Sequence, residues 1–154
     1  MSESKFQLTV VSPDKCLVRD LEIKAVGAKG TEGDFTALPG HIPFLTDLKP
    51  GLMWYRVEAQ GPVEEILIGG GFVEVLPDKV TVLADSAERP DEIDPNRAEQ
   101  SRLRAIEAYN KAKEKAQAEG RSLVGDIEIE KAELKIRKAV ARIKASKKPG
   151  RVEH

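Results

Sequence analysis

The sequence has few of the residues that build disulfides, metal centres and secretory signals. Of its 154 residues one is a cysteine, Cys16, and two are histidines, His41 and His154. One cysteine excludes an intramolecular disulfide, and these three side chains are too few for a tetrahedral zinc site of nitrogen and sulfur ligands. No apolar run reaches the ~18–20 residues of a membrane span, and the first ten residues lack the pattern of a secretory signal. We therefore expect a soluble protein of a reducing, cytoplasmic compartment.

Motifs for nucleotide hydrolysis, dinucleotide binding and nucleophilic catalysis are also missing. The sequence contains no G-x-x-x-x-G-K-[ST], the motif of the phosphate-binding P-loop. The glycine-rich segments 27–33 and 69–71 have the wrong spacing for phosphate loops and are typical of turns at strand ends. His41 has no nucleophile motif beside it, so we expect neither an enzyme nor a metal site.

The charge and composition change sharply near residue 93. Residues 1–93 hold nine basic and sixteen acidic side chains, a balance of −7, whereas residues 94–154 have a balance of +6. Six of the seven aromatic residues lie in the first part, and the second is rich in Ala, Glu, Lys and Arg. Such a difference favours two modules of different secondary structure.

The first part has the pattern of short strands separated by turns. Apolar residues alternate with polar ones or form short β-branched runs, and glycine and proline lie between the runs; the segments are 6–11, 21–25, 63–68, 72–75 and 80–83. No helical stretch separates them, so an antiparallel sandwich or barrel is favoured over a parallel α/β sheet. The prolines and Gly40 of segment 38–44 predict a structured loop.

The second part begins with a helix start signal. Asp94 is predicted as the N-cap with Pro95 at the first helical position, and Gly120 is predicted to end the helix. The apolar positions of this helix are mostly small and form one narrow stripe, which comprises Ala98, Ala105, Tyr109, Ala112 and Ala116.

A second helix is predicted after a short loop, with Asp126 as its N-cap and its end near Ser146. Its apolar stripe comprises Ile129, Ala132, Ile136, Val140 and Ile143. A short loop between two helices predicts an antiparallel hairpin. Because each alanine contributes well under ~1 kcal/mol of burial, the helices hold together weakly and can adopt more than one arrangement. A static hairpin is the alternative.

An ordered set of motifs resembles one known family. The motifs are EGDF at 32–35, LPGHIPFLT at 38–46, LKPG at 48–51, GGGFVEV at 69–75, VTVLAD at 80–85 and IDPNRA at 93–98. In this order, over about residues 5–146, they resemble the epsilon subunit of bacterial F-type ATP synthases.

The resemblance implies an all-β N-terminal domain, a ten-stranded antiparallel β-sandwich over residues 1–90, and an α-helical hairpin over 94–146. A flexible tail is expected over 147–154. It further implies a non-catalytic rotor subunit that couples proton translocation to ATP synthesis, whose sandwich binds the gamma subunit and the ring of membrane subunits. Asp34 is expected to face the ring and His41 to lie near the gamma or ring interface. Membrane association at the cytoplasmic face of the bacterial cell membrane is then peripheral and only through the complex.

The hairpin is the regulatory part of the family. Extended, it is expected to insert into the alpha/beta catalytic head and inhibit ATP hydrolysis, guided by its net positive charge. Compact, it binds a regulatory ATP in some members, and no other cofactor is implied. The residues here that match that site are Glu88, Ile93, Asp94, Arg97, Ala98, Arg104, Lys138 and Arg142. Lys138 replaces an arginine and removes its bidentate contact, which predicts weaker ATP binding.

Other functions fit the residues alone. A free-standing β-barrel with a basic helical arm could bind nucleic acid, although Tyr109 is the one aromatic residue of the hairpin, which disfavours a base-stacking surface and hence a nucleic-acid partner. A nucleotide sensor outside any assembly and a structural adaptor are the remaining alternatives.

Overall fold

A computed structural model describes residues 4–147 of the chain. The chain divides into two compact units, with the boundary between Pro90 and Asp91. Apart from Lys147, the predicted tail over 147–154 lies outside the described residues. Each unit has its own secondary structure, and the change of type falls where the composition and charge of the sequence change.

The first unit consists of short strands. In the described residues they are β1 (Phe6–Val11), β2 (Cys16–Ile23), β3 (Ala25–Gly30), β4 (Gly33–Ala37), β5 (Phe44–Leu48), β6 (Gly51–Arg56), β7 (Glu64–Ile68), β8 (Gly71–Val75), β9 (Lys79–Ala84) and β10 (Ala87–Glu88). A 3-10 turn, Pro90–Glu92, follows them and spans the boundary between the two units.

The strands form one ten-stranded sheet that curls into a nearly closed barrel-like sandwich, as predicted. Its order is β10-β7-β6-β3-β5-β8-β9-β1-β2, with β4 paired to β3. The sheet is mixed, because β1 runs parallel to β9 while the other pairings are antiparallel. A parallel pair needs a long crossover, and the seven strands between β1 and β9 supply it, which strand alternation alone does not predict.

One core fills the inside of this sheet. In β9, Val80 and Val82 are buried while Lys79 and Leu83 are exposed, so the strand presents alternate residues to the two faces. The inward residues of β1 to β9 join a single cluster. Large side chains such as Phe6 in this cluster each contribute roughly 1.5–3 kcal/mol of burial, which gives the unit a stable core of its own.

The glycine-rich segment 27–33 differs from its prediction as a turn. Gly27 and Gly30 lie inside β3, and only residues 31–32 form the turn to β4. The reason is a neighbour distant in sequence: a Cβ on Gly27 would lie 2.3 Å from Nε1 of Trp54. The glycine makes room for the indole ring to pack against the strand.

The second unit is a helical hairpin, α1 (Pro95–Ala118) and α2 (Ile127–Ser146). Both predicted N-caps are confirmed. The Asp94 carboxylate accepts hydrogen bonds from the backbone N–H groups of Asn96 (2.9 Å) and Arg97 (3.3 Å), and Asp126 caps α2 in the same way. After α1, Gly120 has a φ of 68°, the left-handed conformation that ends many helices.

Small side chains form most of the buried surface of the hairpin. In α1 the buried residues are Ala98, Ala105, Ala112 and Ala116, as the stripe predicts. In α2 they are Ile129, Ala132, Ala139 and Ala145. The larger Ile136, Val140 and Ile143 of the predicted stripe are half-buried. Alanines let two helices approach closely but bury little area.

Candidate functional site

An exposed apolar surface lies on the outer side of strands β5, β8 and β9. We call it the outer apolar face; its members are Leu45, Phe72 and Leu83, which are 69%, 54% and 54% exposed. Phe72 pairs directly with Leu83 across β8 and β9. Val11 of β1 is next to Leu83 in the parallel pairing, which extends the row across a third strand. Side chains opposite one another on one face of a sheet form a continuous surface.

The loop between β4 and β5 adds further exposed apolar side chains. Ile42 is 75% exposed, and Leu38 is also exposed. The loop is held by short contacts: Nδ1 of His41 donates to the carbonyl oxygen of Ile42 (2.7 Å), and its ring lies edge-on to Phe44 at 6.3 Å between centroids. His41 therefore orders the loop by a hydrogen bond to the backbone of the next residue. Phe44 in turn packs edge-on against Phe35, with 5.3 Å between the ring centroids.

Asp34 lies on the β3–β4 hairpin, directly opposite Lys29. Its carboxylate is 4.0 Å from the Lys29 ammonium, and both side chains are largely in solvent. An exposed pair of this kind contributes at most about 1 kcal/mol to folding, so the carboxylate is available to another protein at little cost.

The hairpin contains a groove between its two helices, which we call the cationic groove. Its volume is about 330 Å³, and it is lined by Ser101, Arg104, Ala105, Ala108, Lys135, Lys138, Ala139 and Arg142. Three of these, Arg104, Lys138 and Arg142, belong to the predicted ATP-binding set. No carboxylate is among the described side chains that line it, so the groove suits an anion.

The other members of that predicted set lie elsewhere. Ile93, Asp94, Arg97 and Ala98 surround the start of α1, where Ile93 and Ala98 are buried and Arg97 is exposed. The Asp94 carboxylate caps the helix. Glu88 is half-buried in β10 and belongs to the first unit. The structure thus gathers three of the four basic positions of the set in the groove and leaves the fourth, Arg97, outside it with the rest of the α1 start.

Two polar lining residues were not predicted from the sequence, Ser101 and Lys135. Their signal is helical spacing: Lys135 precedes Lys138 by three residues and Arg142 by seven, and Ser101 precedes Arg104 by three, which places each set on one helix face. The sequence did not predict the outer apolar face either. Alternation along a strand shows which side chains point to opposite faces of the sheet, but it does not show which of the two faces is buried.

Arg121 links the two ends of the turn between the helices. Its Nε donates to the Glu119 carboxylate (2.7 Å), and its Nη1 donates to the Asp126 carboxylate, whose side chain is 4% exposed. The backbone N–H of Ile129, helped by Arg121 and the N–H of Glu128, holds the pKa of Asp126 below its usual value. The turn is therefore tied to the α2 N-terminus by charge-assisted contacts.

The part of the chain that the structure describes shows neither a membrane-spanning helix nor a metal cluster. No helix among residues 4–147 is both long and apolar enough to cross a membrane. Across the same residues no three His, Cys, Asp or Glu side chains come together in a way that could hold a metal ion. The candidate sites are thus the outer apolar face with its loop, the Asp34 hairpin and the cationic groove.

The family model and the similar proteins point to the same family. The family model described as the beta-sandwich domain of the ATP synthase delta/epsilon chain matches residues 5–90. The ATP synthase epsilon chain of Nitratidesulfovibrio vulgaris strain DP4 is 45% identical over 113 residues, which cover 73% of this chain and 82% of that protein. That of Syntrophobacter fumaroxidans is 38% identical over 144 residues, 94% of this chain and 97% of that protein, so the likeness includes the hairpin.

A solved structure shares the fold. A chain in the cryo-EM structure of the Euglena gracilis mitochondrial ATP synthase, OSCP/F1/c-ring in rotational state 1, superposes with a TM-score of 0.69. The match covers 92% of this chain and 83% of that one at 18% identity. At this identity the likeness concerns the fold alone.

Proposed function

The chain belongs to the family of ATP synthase delta/epsilon chains, and from this premise we propose that it is a non-catalytic rotor subunit of the central stalk. In this role it couples proton translocation through the membrane ring to ATP synthesis in the catalytic head. It associates peripherally with the cytoplasmic face of the bacterial cell membrane, through the complex. The observation that carries the proposal is the outer apolar face, since large contiguous apolar surfaces mark protein interfaces.

The outer apolar face is the proposed gamma-binding surface. Phe72 is 54% exposed, so a partner could cover about half of the ~200 Å² that an aromatic side chain buries. At ~25 cal/mol per Å² this is about 2.5 kcal/mol, or roughly 70-fold in affinity. Leu83 and Leu45 add to it, and the exposed Asp47 and Glu74 beside them on β5 and β8 can fix the orientation of the partner.

The β3–β4 hairpin, which carries Asp34, is the proposed contact with the ring of membrane subunits. Asp34, whose side chain is 68% exposed, can accept charge-assisted hydrogen bonds from basic or polar loops of the ring subunits. His41 supports the neighbouring loop, which carries the exposed Ile42, at the gamma or ring interface. An apolar face for one partner and an acidic turn for the other would let the sandwich hold both.

A pair of matched variants tests the gamma interface. Leu83→Ala should weaken binding of this chain to purified gamma subunit about tenfold, because it removes about half of a buried leucine. Leu103→Ala is the control, since Leu103 is 51% exposed on α1 and should leave the dissociation constant unchanged. Equal effects of the two substitutions in a titration of gamma would contradict the assignment of the face.

The hairpin is proposed as an inhibitor of ATP hydrolysis that contacts the alpha/beta head and that a regulatory ATP holds compact. The support is its net positive charge and the cationic groove, where Arg104, Lys138 and Arg142 come together. Because α1 and α2 meet largely through alanines, their separation costs little, and a ligand that contacts both helices stabilises the closed form by mass action.

Truncation tests the inhibitory role. A chain that ends after Glu92 keeps all ten strands described here, so it should assemble with the complex and give higher ATP hydrolysis than the full chain. Unchanged hydrolysis in the truncated complex would remove the inhibitory role and leave the rotor role standing.

Calorimetry of the full chain with ATP tests the ligand. Arg142→Ala should weaken binding about tenfold, the cost of one charge-assisted contact. Arg97→Ala should also weaken it if the start of α1 takes part in the site, although Arg97 does not line the groove. No binding heat with the unchanged chain would refute the nucleotide proposal.

A further inference from the structure

The sandwich has a pocket where β3, β4 and β6 meet, on strands other than those of the outer apolar face. Its volume is about 510 Å³, within the ~300–1,000 Å³ of typical ligand pockets. We call it the Trp54 pocket. Its wall includes Lys24, Thr36, Leu38, Pro39, Trp54 and Arg56.

Strand pairing sets the geometry of this pocket. Trp54 pairs with Gly27, and Arg56 pairs with Ala25, across β6 and β3. Thr36 of β4 pairs with the same Gly27 from the other side of β3. Since residues two apart on a strand point to one face, Trp54 and Arg56 lie side by side, with Cα atoms about 6.6 Å apart.

Arg56 brings an incompletely paired guanidinium to the pocket. Its Nε is buried and has no hydrogen-bond acceptor among the described residues. Its Nη1 donates to the carbonyl oxygen of Ala59 at 3.5 Å, which is longer than the ~2.7–3.2 Å of an ordinary hydrogen bond. A guanidinium stays charged and can donate two parallel hydrogen bonds to one carboxylate. A carboxylate that reached Nε would therefore accept from a donor that the described residues leave unsatisfied.

A second cation lies beside Arg56. The backbone N–H of Lys24 donates to the Arg56 carbonyl oxygen (2.7 Å), and Lys24 also lines the pocket. The Glu58 carboxylate attracts Lys24 but already accepts a hydrogen bond from Lys5 at 2.7 Å; Lys5 first, and Lys24 after it, lower the pKa of Glu58. No carboxylate is among the described side chains that line the pocket, so its charge is complementary to an anionic group.

The rest of the wall is largely apolar. Leu38 is exposed, and Pro39 and Trp54 are half-buried. A small inorganic anion would leave these side chains in water, whereas a peptide with an apolar side chain near its carboxylate would cover them. In an extended peptide, residues two apart also point to one side at a separation of about 6.6 Å, which matches the spacing of Trp54 and Arg56.

We propose that the Trp54 pocket binds an extended segment of a partner protein in which an acidic residue and a large apolar residue lie two positions apart. The carboxylate binds Arg56 and Lys24, and the apolar side chain packs on Trp54 and Leu38. This interaction goes beyond the proposed function, because neither Arg56 nor Lys24 belongs to a surface assigned above.

Three pentapeptides with blocked ends test the assignment. The first, Leu-Ser-Glu-Ser-Leu, offers an apolar residue two positions from the carboxylate in either direction. The second, Leu-Ser-Gln-Ser-Leu, lacks the charge, and the third, Ser-Ser-Glu-Ser-Ser, lacks the apolar side chains. Trp54 is the single tryptophan of the sequence, so its fluorescence reports directly on this pocket.

Each peptide is titrated into the full-length chain, unchanged or with one substitution. Arg56→Gln and Lys24→Gln each remove a charge from the pocket. Arg19→Gln is the control, since Arg19 is exposed on β2 and does not line the pocket. Circular dichroism of each variant checks that the strands are kept.

We expect the unchanged chain to bind the first peptide about tenfold more tightly than either of the others, because each of those lacks one of the two contacts. Arg56→Gln should weaken binding of the first peptide about tenfold and remove most of its advantage over the uncharged one. Lys24→Gln should weaken it about threefold, since a lysine contributes a point charge without the guanidinium fork. Arg19→Gln should change it by less than about twofold, the effect of a distant screened charge.

The contrary outcomes are distinct. Equal effects of Arg56→Gln and Arg19→Gln, or no saturable fluorescence change with the first peptide, would overturn the assignment. Equal binding of the first and third peptides would indicate a simple anion site and overturn the peptide partner. If Arg56→Gln failed to fold, the comparison of peptides on the unchanged chain and on Lys24→Gln would still decide. Binding of the first peptide only after Glu3→Gln would show that this chain's own Glu3 carboxylate is the occupant, and it would overturn the partner protein.

Discussion

Ile129 is the largest buried side chain of the hairpin, and its truncation should open the two helices selectively. It is 5% exposed and lies in a small cluster near the turn; the other members are Ala112, Ala116, Tyr109 and Leu123. Its buried neighbours in this cluster are alanines, and the larger Tyr109 and Leu123 are only partly buried, so Ile129 is the one large side chain among the described residues that is fully buried there. The substitution therefore acts on the contact that holds α1 to α2.

The expected magnitude follows from the burial of Ile129. Truncation of a buried isoleucine to alanine costs about 2–5 kcal/mol, and a site beside an exposed turn collapses more easily than a deep core. We therefore expect about 2–3 kcal/mol, which raises the opening equilibrium roughly 30- to 150-fold. The core of the sandwich contains none of these residues and should keep its stability.

Amide hydrogen exchange of the full chain, read by mass spectrometry, measures this opening. Peptides from the end of α1 and the start of α2 should exchange faster by about the factor above, while peptides from the ten strands should not change. Ile136→Ala is the control, since Ile136 lies seven residues later on α2 and is only half-buried. Equal acceleration in both variants, or acceleration in the strands, would refute the idea that Ile129 holds the hairpin.

Two further predictions concern one packing contact and one cap. Gly27→Ala should force the Trp54 indole back by about 1 Å, since the new Cβ would lie 2.3 Å from it, and should cost about 1–3 kcal/mol by overpacking. Combining it with Trp54→Leu should remove most of this cost. Thermal melts followed by circular dichroism check both, because Trp54→Leu removes the single tryptophan of the sequence. Folding lowers the pKa of Asp126, first through the hydrogen bond from the Ile129 N–H and then through Arg121. Its carboxylate therefore stabilises the folded hairpin at any pH above the unfolded pKa near 3.8. This stabilisation is lost as the pH falls through the lower pKa of the folded state. Helix circular dichroism from pH 6 to 2 should show a smaller acid loss in Asp126→Asn than in the unchanged chain, and parallel curves would contradict this.

The parts of the fold that follow from local pattern could be predicted. The alternation around Val80 places β9, and the N-caps at Asp94 and Asp126 place both helix starts, because each signal lies within a few residues of the structure that it causes. Residues close to Gly27 in sequence could not show that it lies inside a strand and not in a turn. Its role depends on Trp54, twenty-seven residues away, whose ring needs the space that a side chain would fill.

The same distinction applies to the candidate sites. Arg104, Lys138 and Arg142 were identified by resemblance, and the structure brings them into one groove. Lys135 has the right helical spacing, but a lysine-rich helix offers several such positions and only the partner helix decides which of them line a groove. The exposure of Leu83 likewise depends on what covers the outer side of β9, which strand alternation does not specify.

The two proposed surfaces use different physical forces, and salt should therefore separate them. Binding at the outer apolar face depends on burial of Phe72 and Leu83, which moderate salt does not weaken. Binding in the cationic groove depends on charges in contact with solvent, whose interactions are screened over about 10 Å at 0.1 M salt and about 3 Å at 1 M. A rise in ionic strength should release an anion from Arg104 and Lys138 while the sandwich stays bound to its partner. Under the proposed function, one unit would hold the subunit in the complex by apolar contact and the other would respond to a charged ligand.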